Sequence, residues 1–291
     1  MIRYVPLRAL LGTTLLSLTL AGCGNDSPAA TAAHPTRATA PVSATSAASA
    51  APRHALAQRP PTVAPGPGGL TPVFRRGTHA AGKTVALTFD ADMTADQGKR
   101  AAQGERFDNP ALIALLRRLE VPSTIFMTGR WAEEYPAQAH EIGNDPLFEI
   151  ANHSYSHYSF AGDCYGLPRL DRKKIGPDVR RAFAAFRAVG ARQVVPYFRF
   201  PGGCYDAAAL RALAPARVTA VQWDVVGGDA FATDADAVAQ QVLDAVKPGS
   251  LVVLHCTRSA APVTEDAVRR IVPELRERGY RLVKVSDLMK R

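Results

Sequence analysis

His153 and His157 stand four residues apart at the end of an apolar run, Phe148-Glu149-Ile150-Ala151-Asn152. Two imidazoles at that spacing can reach one metal ion from a helical turn or a tight loop. The H-E-x-x-H arrangement of zinc peptidases is absent, because Ser154 occupies the glutamate position. A histidine pair also arises by chance, so its meaning depends on which ionisable residues share its surroundings. The candidates are Asp90 and Asp92 after VALTF, Arg199 before FPGG, Asp224 and Asp229 around VVGG, and His255 closing LVVLH. A carboxylate, two imidazoles, an arginine and a further histidine are the parts of a metal-assisted hydrolysis.

The elements that must position them alternate between strands and amphipathic helices. Strands are predicted over 84–90, 121–128, 148–152, 196–200, 218–225, 251–255 and 280–285. Asn109-Pro110 supplies an N-cap and a first-turn proline for a helix over 111–120. Further helices are predicted over 131–142, 171–189 and 265–278, and a short one follows Asp206. Thr233 and Asp236 read as a capping box for a helix ending at Val246. Strands separated by helices imply a parallel sheet with right-handed crossovers. The expected fold is α/β, a distorted seven-stranded (β/α) barrel, with an open doubly wound sheet as the alternative. In such a barrel the chemistry gathers at the C-terminal strand ends. Five of the seven strands deliver ionisable groups there: Asp90 and Asp92, then His153 and His157, Arg199, Asp224 with Asp229, and His255. Random surface charge would spread over both ends and the helices.

The chain has 291 residues, 47% of them hydrophobic, enough for one large domain plus extra segments. Its net charge of +9 is concentrated at the front. Residues 1–82 hold seven arginines and one aspartate, hence +6, leaving +3 for 83–291. No basic face with interleaved aromatics appears, so nucleic acid is not an expected partner. Arg3 and Arg8 precede an apolar run of about 13 residues, short for a bilayer span and suited to a signal peptide. The run ends in Leu20-Ala21-Gly22-Cys23, which resembles a bacterial lipobox. The resemblance implies cleavage before Cys23, lipid on its sulfur, and an extracytoplasmic protein tethered to a membrane; a simple secretory signal is the alternative. Residues 23–82 are rich in Ala, Pro, Ser and Thr and are expected as a disordered linker. The domain is expected over 83–291.

TFDAD, HSYSH, RFPGG, WDVVGGDAF and LVVLH resemble, in order, the five motifs of the NodB-homology polysaccharide deacetylases, carbohydrate esterase family four. The resemblance covers 83–291. It implies a distorted (β/α) barrel and metal-dependent removal of acetyl groups from N-acetylglucosamine polymers, or of O-acetyl groups from xylan. Carried over by position, His153, His157 and Asp92 would hold the metal, Asp90 would be the base and Arg199 its holder. His255 would be the acid, kept protonated by Asp229, and the Gly202 N–H would meet the oxyanion. Trp223 and Leu254 are candidates for the acetyl-methyl slot, with plain core packing as the alternative for each. Related sequences have adjacent aspartates where Ala91 separates Asp90 from Asp92. Residues two apart in a strand share a face, so both can reach the mouth, and the division into base and ligand stays open. Two histidines and a carboxylate suit Zn2+, and also Co2+ or Ni2+. Expected partners are an acetylated polysaccharide, acted on by a monomer, and the membrane through the lipid. An O-acetyl esterase or non-sugar amide hydrolase with the same metal chemistry, and a non-catalytic carbohydrate-binding lipoprotein, are the rival functions. Cys164 and Cys204 fall in rim loops, where an oxidising compartment allows a disulfide, and Cys256 is expected buried and inert.

Overall fold

The computed structural model describes residues 59–78 and 82–290. Cys23, the leader and the linker as far as residue 58 lie outside the described residues. The sheet is built around β2 (Thr84–Ala91), buried along its whole length. It pairs in parallel with β3 (Ser123–Met127) on one side and β8 (Ser250–His255) on the other. Beyond β3 follow β4 (Phe148–Asn152), β5 (Val194–Phe198), β6 (Thr219–Val221) and β1 (Val73–Phe74), and beyond β8 lies β7 (Val225–Val226). A short β9 (Arg281–Leu282) joins the start of β2.

Strands β2 to β6 neighbour one another in chain order, and β8 returns beside β2. That arrangement is a barrel, since a doubly wound sheet reverses its order midway. The expected barrel is therefore present, but its wall is open between β6 and β7, which do not pair with each other. The single strand predicted over 218–225 is two, β6 pairing with β5 and β7 pairing with β8. Gln222–Asp224 span the break. There the Asp224 carboxylate accepts from Leu251 N at 2.6 Å and Ser250 Oγ at 2.9 Å, taking over part of the missing ladder.

Alternation along the strands sorts the core into layers. Ala86, Phe126, Ala151, Tyr197, Val221 and Leu251 fill the barrel. Val85, Leu87, Phe89, Ile125, Val252 and Leu254 face outward, beneath helices. Those helices include α2 (Pro110–Arg118), α7 (Ala235–Ala245) and α8 (Thr264–Glu277), which contribute Leu112, Val238, Val268 and Ile271. Asn109 caps α2 as expected, accepting from Leu112 N at 3.0 Å.

Other boundaries differ for identifiable reasons. The helix predicted over 131–142 is α3 (Gly129–Glu134) and α4 (Pro136–Asn144), because a residue before proline is driven out of the helical region. Asp234, rather than Thr233, caps α7, accepting from Asp236 N and Ala237 N. The strand predicted over 280–285 ends early, and α9 (Val285–Met289) plugs the barrel floor with Val285 and Leu288. The expected boundary at 82 also moves. Within the predicted linker, β1 pairs with β6, Pro61 O accepts from the Tyr197 hydroxyl, and Arg76 reaches Pro248 O. Residues 59–78 thus already belong to the domain, their backbone polar groups partly satisfied by it.

Candidate active site and metal centre

The alternation of β2 sends Thr88, Asp90 and Asp92 to the barrel mouth while Ala91 packs outward. Arg199, just past β5 and wholly buried, reaches across the barrel. Its Nη1 donates to Asp90 Oδ1 at 2.6 Å, Nη2 to Thr88 Oγ1 at 2.9 Å, and Nε to Val221 O at 3.2 Å. The guanidinium carbon lies 3.7 Å from the centre of the Phe126 ring and 5.4 Å from that of Trp223. Burial pulls this guanidinium down from its ordinary value, against the Asp90 charge that holds it up. The carboxylate is thereby locked through Oδ1, while Oδ2 lies 3.6 Å from His153 Nε2.

The HSYSH segment is a tight loop rather than a helical turn, with Ser154 and His157 in the left-handed region at φ 68° and 54°. Local hydrogen bonds hold it there. Asn152 Oδ1 accepts from Ser154 N, Ser154 Oγ accepts from His157 N, and the Asp178 carboxylate accepts from Tyr155 N and Ser156 N. His153 Nδ1 lies 2.9 Å from Arg199 O, which fixes Nδ1–H and turns Nε2 inward.

Asp92, His153 and His157 offer ligand atoms that all lie within 4.8 Å of one another. Asp92 Oδ1 is buried and meets no donor in hydrogen-bonding geometry, although the two Nε2 atoms stand 3.2 and 3.4 Å away. An orphaned buried carboxylate oxygen is costly. Three lone pairs converging on one point suit a divalent cation, so this donor set fits the metal implied by the motifs. Thr257 Oγ1 accepts from Asp92 N at 2.8 Å and fixes the turn. Burial would raise the Asp92 carboxyl, but the adjacent His157 and His153 imidazoles hold it well below the ordinary range. Burial takes His157 down to about 4, whereas His153 rises against burial through Asp90 and Asp92.

His255, the last residue of β8 and register partner of Asp90, faces the same space, with Nε2 3.8 Å from Asp92 Oδ2. Its Nδ1 lies 2.9 Å from Asp229 Oδ1. The same carboxylate accepts from His255 N and the Thr264 hydroxyl, so its second oxygen is satisfied too. Burial would depress this imidazole, but the Asp229 hydrogen bond and charge outweigh it and push it up to about 10.

Of the residues singled out in the sequence, Asp90, Asp92, His153, His157, Arg199, Asp229 and His255 thus converge. Trp223 is half-buried beside Arg199, and Gly202 sits at φ 62° in the turn after it. Leu254 does not join them: it faces away from His255 into the outer layer, where full burial contributes roughly 1.5–3 kcal/mol. Cys256 is buried and free, as expected. Cys164 and Cys204 form a disulfide. Closing a 40-residue separation stabilises by about 4 kcal/mol in a chain-entropy account. Sequence reasoning missed Thr88, Thr257 and Thr264. The first two lie two residues from Asp90 and His255, a spacing that could have revealed them.

The family model for polysaccharide deacetylase matches residues 77–221. The chain carries a domain of the polysaccharide deacetylase family. It is 28% identical to a chitooligosaccharide deacetylase of Sinorhizobium fredii, over 72% of this chain and 93% of that one. It is 26% identical to a peptidoglycan-N-acetylglucosamine deacetylase of Bacillus cereus, over 72% and 89%. A CE4 family pseudoenzyme of Bacillus anthracis, solved as a mutant with restored enzymatic activity, shares the fold. That match has a TM-score of 0.61 and 25% identity, covering 78% of this chain and 72% of that one. The fold thus occurs with and without activity.

Removing the Arg199 charge isolates Asp90 in the barrel. Arg199→Met is expected to lower stability by about 3–5 kcal/mol, read as a fall in the urea midpoint. An unchanged midpoint would show that the pair is not holding a buried carboxylate.

Proposed function

We propose that the domain removes N-acetyl groups from an amino-sugar polymer of the peptidoglycan or chitin type. The observation that carries this reading is the buried, unpartnered Asp92 Oδ1 facing two imidazoles beside a complete acid and base. The names of the related deacetylases support the substrate class. A divalent cation, best suited as zinc, would be held by Asp92, His153 and His157 and supply Lewis acidity for the acetyl carbonyl and for a water. Asp90, clamped through Oδ1, has Oδ2 left to take the proton of the attacking water. This favours Asp90 as base and Asp92 as ligand. His255 Nε2 delivers a proton to the departing amine nitrogen, and Asp229 holds the opposite ring nitrogen. The Gly202 N–H would donate to the developing oxyanion. Trp223 borders the space for the acetyl methyl.

The non-catalytic alternative fits poorly, because a binding module has no use for Asp229 holding His255 protonated. Acetate release from peptidoglycan, chitooligosaccharides and acetylxylan separates amide from ester preference. On the amino-sugar polymers a chelator is expected to abolish release and added zinc to restore it. His255→Ala is expected to lower kcat by about 10²–10⁴. Release that survives both treatments contradicts the reading.

We also infer from Leu20-Ala21-Gly22-Cys23 that the chain is a lipoprotein of the cell envelope. Cys23→Ser is then expected to move it from the membrane fraction to the soluble one; an unchanged distribution contradicts the anchor.

A further inference from the structure

Beside the turn that carries Gly202 lies the segment 160–172, pinned at Cys164 to Cys204. A Cβ on Gly202 would come within 2.6 Å of Cys164 Sγ and 3.3 Å of Tyr165 Cδ2, so no side chain fits there. The neighbouring loop supplies the side chains on that flank of the mouth. Tyr165 is 89% exposed, the most exposed large hydrophobic residue among those described, and holds φ at 50°. A bulky residue in the left-handed region is disfavoured. Such a conformation is common where a side chain has a task. No described residue covers this ring, which offers a face to a flat, partly apolar partner such as a pyranose.

The same segment continues into a shallow, open depression lined by Arg169, Leu170, Asp171 and Arg172. Leu167, whose Cδ1 is 3.4 Å from the Gly202 Cβ position, is two residues before Arg169, a Cα path of at most about 7.6 Å. Residues 169–174 hold four cations against one aspartate. Asp206 lies 3.8 Å from Arg172 but leaves that side chain 56% exposed, with donors to spare. A guanidinium fork matches a carboxylate.

We propose, building on the deacetylase reading, that this disulfide-pinned wall selects an anionic amino-sugar polymer. Tyr165 stacks on one sugar ring, and Arg169 with Arg172 receives a carboxylate carried by an adjacent unit. Peptidoglycan glycan strands, with lactyl and peptide carboxylates, have that chemistry; neutral chitin lacks it. Charge steering also makes the preference fall with salt.

The test compares kcat/KM for acetate release from peptide-bearing glycan strands and from neutral chitooligosaccharides of matched length, at low and raised salt. For Arg169→Ala/Arg172→Ala the ratio of the two is expected to fall about tenfold, through KM, with its salt dependence lost. Tyr165→Ala is expected to raise KM for both polymers while the thermal midpoint holds. A wild type that releases acetate while both variants leave the ratio and KM unmoved overturns this inference alone. A wild type releasing none from either polymer overturns the deacetylase reading, and the inference with it.

Discussion

The site rests on the two-residue repeat of β2. Because alternate side chains of a strand share a face, Thr88, Asp90 and Asp92 all enter the barrel mouth, while Val85, Leu87 and Phe89 anchor the strand under the helices. Flanking strands then bring His255 and, across the barrel, Arg199 to the same level. Without that repeat the two aspartates would face opposite sides of the sheet, and this strand would give the cluster one carboxylate rather than two.

Three carboxylates in so small a buried volume require compensation, and each receives it differently. Asp90 has a guanidinium with matching geometry. Asp229 has an imidazole, a backbone N–H and a hydroxyl, which leave it satisfied and keep His255 cationic. Asp92 has two imidazoles that titrate in opposite directions, His157 pushed to about 4 by burial and His153 raised by Asp90 and Asp92 against burial. Protons are poor company for Asp92, and an ion of higher charge placed between the three ligands suits it better. The electrostatics and the ligand geometry therefore point the same way.

Much of this was legible in the sequence, since strand alternation and end-of-strand clustering need only residue order. Asp90, Asp92, the histidine pair, Arg199, Asp229 and His255 were found that way. The same alternation excluded Leu254 from the face of His255, and the sequence reading did not apply it there. The break between β6 and β7 was hidden because Val-Gln-Trp-Asp-Val-Val reads as one run, and only the Asp224 hydrogen bonds to β8 reveal a change of partner. Strand β1 was hidden in proline-rich sequence whose order comes from tertiary contacts, those with β6, Tyr197 and Pro248 among them. The loop geometry at Ser154 and His157 depends on Asp178, more than twenty residues away, which no local pattern announces.

The most direct measurement is X-ray absorption on the zinc-loaded, dialysed protein, alongside the Asp92→Ala/His157→Ala variant. The account predicts one ion per chain, bound by two imidazole nitrogens and carboxylate oxygen, and lost in the variant. Equal zinc retained by the variant, or none by the parent, would contradict it.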